Sequence, residues 1–492
     1  MKNSLQIIVL LVMSSFILQS TIVDTPVSDL KQPEKYFLLG KYMQSIRHYR
    51  NQLTKSTNKE IENYNIGYLY FLQGKMDSAQ YYSEQSLKYN ASYGPAYFLK
   101  GLIEYTLRNY SLAKNYLEIS IANHPDREFP LYYLGKIYFQ ERDYKQAYKY
   151  LDEATNSSDI FSLAYPLMGR SLARLGKDKK AINVLEKGLS VSYDAEILLA
   201  LIDLYKETDQ NQEAQKYAGL FKFLFPDHTA ADHLLREYPE ANFKNGFREI
   251  PQRNKSSNVF FPVGEKALYN VTFGPIKVGE LYTEIQDSLT FNDKEVYQVR
   301  FSLDSNPDLA FAAVLHSDYL SYIDKYTKQV ELHYLHTHEN DKIWDKLYSF
   351  DRARHRFLCR TVRKDGHIDI LEKYLPRNTI DGTSILFYAR QIVKEQRSER
   401  VMTIIDENFV ISDINYSDKM EMVEVRGKEE NCFLVTGINH YKGIVGFTGG
   451  FRGWFRNNSS LLPVKSDFKI WVGRIKVTMA SAEEERIHKY SR

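Results

Sequence analysis

The chain has 492 residues, 43% of them hydrophobic and 26% charged, which is too long for one hydrophobic core and calls for two or three folded domains. Lys+Arg 65 against Asp+Glu 62 leaves a formal charge of +3, and this balance argues against a dedicated nucleic-acid binder, whose basic residues concentrate on one surface. The only cysteines, Cys359 and Cys432, exclude a CxxC motif and leave open whether the two form one disulfide.

Residues 1–23 read as a targeting segment. Lys2 supplies a positive start, and Leu5 to Leu18 is apolar except for Gln6, Ser14 and Ser15. That stretch is short for a hydrocarbon core of roughly 30 Å, so a signal peptide cleaved near Ser20 is expected. An uncleaved anchor running to Val23 is the alternative. No cysteine follows the apolar run, so a lipoprotein anchor is excluded. Either way the protein is expected outside the cytoplasm, in the periplasm or attached to the cell envelope.

The next 200 residues are periodic. Gly67, Gly101, Gly135 and Gly169 lie 34 residues apart, and Ala79, Ala113, Ala147 and Ala181 keep the same spacing. Small residues in two such columns mark the close crossing of paired antiparallel helices. Tyr70, Tyr138 and Leu172 follow their glycines by three residues, and Leu117, Leu151 and Leu185 fill the second-helix core. Glu104 and Ser83 depart from these columns. Pro125 and Pro226 end repeats, as proline does after a helix. A unit from Ala195 keeps register after one deleted residue, and Gly40-Lys41 precedes Gly74-Lys75 by one period.

These columns resemble the tetratricopeptide repeat (TPR) family over an all-α solenoid of five to six repeats, residues 26–226. The resemblance implies a superhelix whose first helices line a groove for an extended peptide or a partner's helix. The groove-facing places would be Tyr64, Tyr68, Phe71, Phe98, Tyr105, Tyr132, Lys136, Phe139, Arg170 and Arg174, aromatic at one end and basic at the other. Packing between repeats is the commoner role for such aromatic residues. The lysine/asparagine set of chaperone-binding TPRs is missing, because Ile61, Tyr64, Asn65 and Tyr68 stand at its places.

Residues 227–258 read as a capping helix, around Ala230 to Glu237, and a polar linker. From 259 to 482 the pattern alternates, with runs at 266–273, 276–287, 295–303, 328–336, 343–350, 355–363, 401–406, 409–416, 420–427, 431–440 and 464–480. This predicts a mainly antiparallel β domain, a curved sheet or half-barrel. One amphipathic helix begins at Ser384, with Asp381 as its cap. Residues 483–492 are a polar tail.

Three motifs in this half resemble an uncharacterised exported bacterial family, domain of unknown function 3108. They are Phe261-Pro-Val-Gly-Glu-Lys-Ala-Leu-Tyr269 with Gly274-Pro275 and Gly279-Glu280, then Asp381-Gly-Thr-Ser-Ile-Leu-Phe-Tyr-Ala-Arg390, then Leu462-Pro-Val-Lys465. Asn457-Asn-Ser-Ser departs from the acidic turn expected before the last. The resemblance implies fold and export, and no mechanism.

Catalytic and cofactor chemistry finds little to stand on. His336 and His338 share a strand face near Asp341, which is thin for a metal site and reads better as an exposed polar strand. Gly446 to Gly453 fits neither the dinucleotide nor the P-loop spacing and reads as a hairpin loop. Ser384 lacks nucleophile-elbow glycines. Arg352, Arg354, Arg356, Arg360 and Lys364 would form a cationic stripe if they lie on one strand, whereas a turn near 351–354 would break it. The expectation is therefore a non-enzymatic envelope adaptor with no cofactor, no metal and no nucleic acid, binding a protein partner through its groove. The first alternative is a carrier that holds an apolar or lipid-like ligand in the β domain at Ile385, Leu386, Phe387 and Ile392. The second is an enzyme of unrecognised type.

Overall fold

In a computed structural model of the chain, residues 30–123, 126–158, 161–239, 241, 259–309, 314–340, 342–439, 447–470 and 473–482 are described. The targeting segment, most of the linker, Asp341, residues 440–446 and the polar tail lie outside them. By its contacts the chain forms two compact units. The first holds the described residues up to Gly188, Asp203–Asp209 and Arg360–Leu371; the second holds Leu189–Ile202, Gln210–Cys359 and Glu372 onward.

Helices come in pairs. α1 (Gln32–Leu38) and α2 (Tyr42–Gln52) are followed by α3 (Lys59–Leu72) and α4 (Met76–Tyr89), α5 (Gly94–Thr106) and α6 (Tyr110–Asn123), and α7 (Glu128–Gln140) and α8 (Tyr144–Ser157). Next come α9 (Tyr165–Arg174) and α10 (Asp178–Val191), α11 (Ala195–Glu207) and α12 (Asn211–Leu224), and a last helix, α13 (Thr229–Glu237). The turn inside each pair needs one left-handed residue, because the chain must reverse within three or four residues. Gly40, Gly74 and Gly176 take that place with φ near 70°, and Arg108 and Arg142 take it at φ 65°. These five are also 34 residues apart.

The small-residue columns have a steric cause. A Cβ on Gly135 would lie 2.5 Å from Leu151 Cγ, and one on Gly169 would lie 2.4 Å from Leu185 Cγ. Both are inside van der Waals contact, so a side chain there forces the paired helices apart. Ala79, Ala113, Ala147 and Ala181 are fully buried at the same crossings.

The second unit is built on a sheet. Its strands are β1 (Lys266–Phe273), β2 (Ile276–Phe291), β3 (Lys294–Ser305), β4 (Leu315–Asp324), β5 (Val330–Glu339) and β6 (Lys342–Asp351), followed by β7 (Arg356–Arg363) and β8 (Ile368–Tyr374), whose stretch Arg360–Leu371 belongs to the first unit. They continue as β9 (Ile380–Asp381), β10 (Ser398–Ile405), β11 (Asn408–Val425), β12 (Lys428–Asn439), β13 (Phe447–Arg456), β14 (Pro463–Ile470) and β15 (Gly473–Ala482). The order is β8-β7-β6-β5-β4-β3-β2-β1-β15-β14-β13-β12-β11-β10-β9. β9 runs parallel to β10, and the ladders from β1 to β6 and from β10 to β15 are antiparallel. The helix between β9 and β10, α14, spans Ser384–Ile392.

Several expectations are corrected here. The run 464–480 is two strands, turned at Gly473. The runs 409–416 and 420–427 are one strand, irregular between Tyr416 and Met420. Residues 447–453, read as loop, belong to β13, and opposite them Gly437 of β12 leaves room for the Phe451 ring, since a Cβ there would lie 2.3 Å from it. The cationic stripe does not exist: the chain turns at 352–355, and Arg352, Arg354 and Arg356 go to separate partners. Cys359 and Cys432, whose pairing the sequence left open, are both buried and form no disulfide.

Candidate functional site

The first candidate site lies in the first unit, where helix α3 meets the tip of the β7–β8 hairpin. β8 is the last strand in the sheet order, and an edge strand presents unpaired N–H and C=O groups that need partners. Here side chains of α3 supply them. Tyr64 OH donates to Ile368 O at 3.2 Å and Asn65 Nδ2 to Gly366 O at 2.9 Å. Ile368 N–H donates to Asn65 Oδ1 at 3.1 Å, and Ile370 N–H to Tyr68 OH at 3.2 Å. The three strand atoms belong to Ile368 and Ile370, two residues apart, so they face one way from the strand. Burial pushes the Tyr64 and Tyr68 phenols well above their ordinary range, aided by neighbouring tyrosine and aspartate charge. They stay neutral and can donate.

Around this ladder the hairpin is held by charge. Arg363 is paired to Asp126 at 2.9 Å and to Asp369 at 3.0 Å. Arg360 lies over the Tyr42 ring and donates to its hydroxyl at 3.3 Å. Gly366 carries φ +94°, the tight reversal at the tip. His367 stands edge-on to Tyr64, which itself stacks on Tyr68.

Four of the remaining predicted groove residues, Phe98, Tyr105, Tyr132 and Lys136, form a second patch. Lys136 Nζ lies 5.4 to 5.7 Å from the ring centres of Tyr105, Tyr132 and Tyr133, a cation held by three aromatic faces. Phe98 packs against Tyr133, and Tyr132 against Phe161. Phe71 stacks on Tyr68 and Phe139 contacts Tyr144. Arg170 is half-buried and Arg174 exposed. Sequence reasoning missed the hairpin as occupant and Tyr133 as the third ring. The only signal for the former was the turn Lys364-Asp365-Gly366.

The second candidate site lies in the β domain. Its three sequence motifs meet there. Arg390 of α14 is 1% exposed, makes a two-pronged ion pair with Glu265 at 2.7 Å for each prong, and lies 3.9 Å from the Phe261 ring centre. Its guanidinium also donates to Ser460 O. Tyr269 OH donates to Pro463 O at 3.0 Å. The other end of α14 is capped, as expected, by Asp381, whose Oδ1 accepts from Ser384 N–H at 2.7 Å. Burial would raise the Asp381 carboxyl, but His333, Ser384 and Thr383 outweigh it and hold it down to about 2.

Between α14 and the sheet is a cavity of about 530 Å³. Ile385, Leu386 and Ala389 form its helix wall, and Phe301, Ile414 and Val435 are part of its sheet wall. Phe387 and Ile392, named with them from sequence, point elsewhere. Phe387 packs on Phe261 and Phe301, and Ile392 on Val401 and Tyr416. The helical period divides one apolar run between cavity and core. Unfilled apolar volume costs about 24 cal/mol per Å³, so a void of this size would cost on the order of 10 kcal/mol, the stability of a whole domain. Solvent or a ligand must occupy it.

Other polar clusters are structural in geometry. Ser321 Oγ and Asp381 Oδ2 both meet Nδ1 of His333, at 2.8 and 3.0 Å. A nucleophile relay needs them on opposite ring nitrogens. His336 bonds Asp345, and the described residues contain no group of three His, Cys, Asp or Glu side chains placed to hold a metal ion. Lys346 and Tyr348 clasp Glu407 at 2.7 and 2.6 Å. Next to it, burial and the Glu407 charge push the Asp406 carboxyl up to about 7.

Residues 268–480 match the model of a family described as "Protein of unknown function (DUF3108)". Residues 106–188 match that of "Anaphase-promoting complex, cyclosome, subunit 3". Anaphase-promoting complex subunit CDC16 of Saccharomyces cerevisiae is 26% identical over 189 residues, 36% of this chain and 22% of that protein. The chain thus spans about a fifth of that relative. Among solved structures, PilW, described as a widely conserved type IV pilus biogenesis factor, is 18% identical, with a TM-score of 0.39 over 43% of this chain and 100% of its own. YrrB, titled a TPR protein with an unusual peptide-binding site, is 18% identical, with a TM-score of 0.33 over 38% and 97%. The chain therefore joins helical repeats of TPR type to a C-terminal β domain that matches the DUF3108 model.

Proposed function

We propose that this protein is an exported, non-catalytic adaptor of the cell envelope, whose repeats hold a protein partner and whose β domain positions the complex. One observation carries the reading: side chains of α3 hold an extended backbone by four hydrogen bonds. The three residues that make them, Tyr64, Asn65 and Tyr68, sit where TPR repeats present their ligand contacts. The surface therefore has the chemistry of strand recognition, in which main-chain bonds give affinity whatever the sequence. The chain's own hairpin uses the α3 end, so the partner is assigned to the aromatic–lysine patch around Tyr105, Tyr132 and Lys136. Export rests on Lys2 and the apolar run Leu5 to Leu18. The non-catalytic reading rests on the His333 cluster, whose hydroxyl and carboxylate share one ring nitrogen.

The test is site-specific photocrosslinking in living cells, with the reactive residue at Phe139. The reading expects one discrete adduct in the envelope fraction, lost on Lys136→Ala and kept on Arg174→Ala. Adducts that ignore Lys136→Ala, or that appear only in the cytosol, would sink it.

A further inference from the structure

We propose that the cavity beneath α14 binds one long aliphatic chain, the hydrocarbon part of a fatty acid or of a membrane lipid, with the polar head outside. The cavity's volume of about 530 Å³ lies within the roughly 300–1,000 Å³ of small-molecule sites. What singles out hydrocarbon is the chemistry of the walls. A site for a polar metabolite fixes its ligand with a few converging charged or amide groups, and among the described residues this one has none facing inward.

The strand register shows why. Phe451 pairs with Phe468 and Gly453 with Ser466, and all four line the cavity. Arg452 and Lys469 border it too, but alternation along a strand sends their side chains to the opposite face. There Arg452 pairs with Asp467 at 3.1 Å. No carboxylate side chain lines the cavity among the described residues. The polar atoms left on the inner walls are hydroxyls such as those of Thr283, Thr403 and Ser412, too weakly polar to hold an ion away from water.

The helix wall is also fixed in place. The Glu265–Arg390 pair and the Asp381 cap hold the two ends of α14, so the cavity is pre-formed and a chain can enter without reorganising the core.

The test uses the full chain and cis-parinaric acid, a fluorescent fatty acid. The proposal expects saturable binding of one molecule per protein, displaced by palmitate. Displacement by palmitate alone identifies the free acid as source, and displacement also by phosphatidylglycerol vesicles identifies membrane lipid; either supports the proposal. Ala389→Phe on the helix wall and Val435→Phe on the sheet wall should each weaken binding at least tenfold while melting stays cooperative. Absence of saturable binding to the wild type overturns the proposal, as does unchanged affinity in both variants. Should both variants misfold, native mass spectrometry of the wild type with palmitate decides: one adduct per chain supports the site, and none or an unsaturating series overturns it. None of these readouts depends on the partner patch at Lys136.

Discussion

Two long-range clamps hold this protein together, and they are built from different physics. In the first unit the hairpin 360–371 is held by neutral side chains on backbone atoms, Tyr64, Asn65 and Tyr68 on residues 366–370, with the Arg363–Asp126 ion pair beside them. In the β domain, α14 is held by a fully buried ion pair, Glu265 with Arg390. A neutral hydrogen bond contributes about 1 kcal/mol net, because water competes for both partners. A buried ion pair adds little over a well-packed apolar pair, yet breaking it is expensive, since the surviving charge stays in low dielectric. The difference teaches that the hairpin contact is graded and can open stepwise, whereas the helix contact is all or none.

That contrast can be broken at its strong end first. Glu265→Gln leaves Arg390 buried beside Phe261 and should cost about 3–5 kcal/mol by chemical denaturation, with α14 released and fatty-acid binding lost. A loss under 1 kcal/mol would mean that solvent already reaches the pair. Gly169→Ala tests the repeats themselves. Its Cβ would meet Leu185 Cγ at 2.4 Å, so roughly 1–3 kcal/mol of overpacking is expected in thermal melts. Asn65→Ala removes two bonds to the hairpin and should cost about 1–2 kcal/mol, with faster amide exchange confined to residues 364–371.

The smallest effect is one of pH. The Asp406 carboxyl is raised to about 7 in the fold, so the folded chain keeps a proton that the unfolded chain sheds near pH 4. Stability from this group therefore falls as pH rises from about 4 towards 7 and is flat above. Asp406→Asn should flatten that slope and stabilise the protein by roughly 1 kcal/mol at pH 8, part of the full shift being screened by solvent. An unchanged pH profile would show that Asp406 ionises freely.

What could be read from the sequence follows the range of each interaction. The glycine and alanine columns report contacts between helices of one repeat, such as Gly169 on Leu185, and a period of 34 exposes them. The Asp381 cap was legible for the same reason, since it acts on Ser384 three residues on. Strand β4 was missed because every residue from Leu320 to Asp324 is buried, on both faces, which erases the alternation that marks a strand. The Tyr64–Ile368 bond joins residues 304 apart, and nothing in either local sequence names the other. Phe387 and Ile392 were grouped with Ile385 and Leu386 because apolarity alone does not tell a cavity wall from a core face.

The central claim is that α3 binds an extended strand of its own chain. Amide hydrogen exchange resolved at Ile368 and Ile370 tests it most directly, because these N–H groups donate to Asn65 and Tyr68. The account predicts that both are strongly protected in the wild type, and that Asn65→Ala exposes Ile368 before Ile370. Exchange of both amides at the rate of free peptide in the wild type would contradict it.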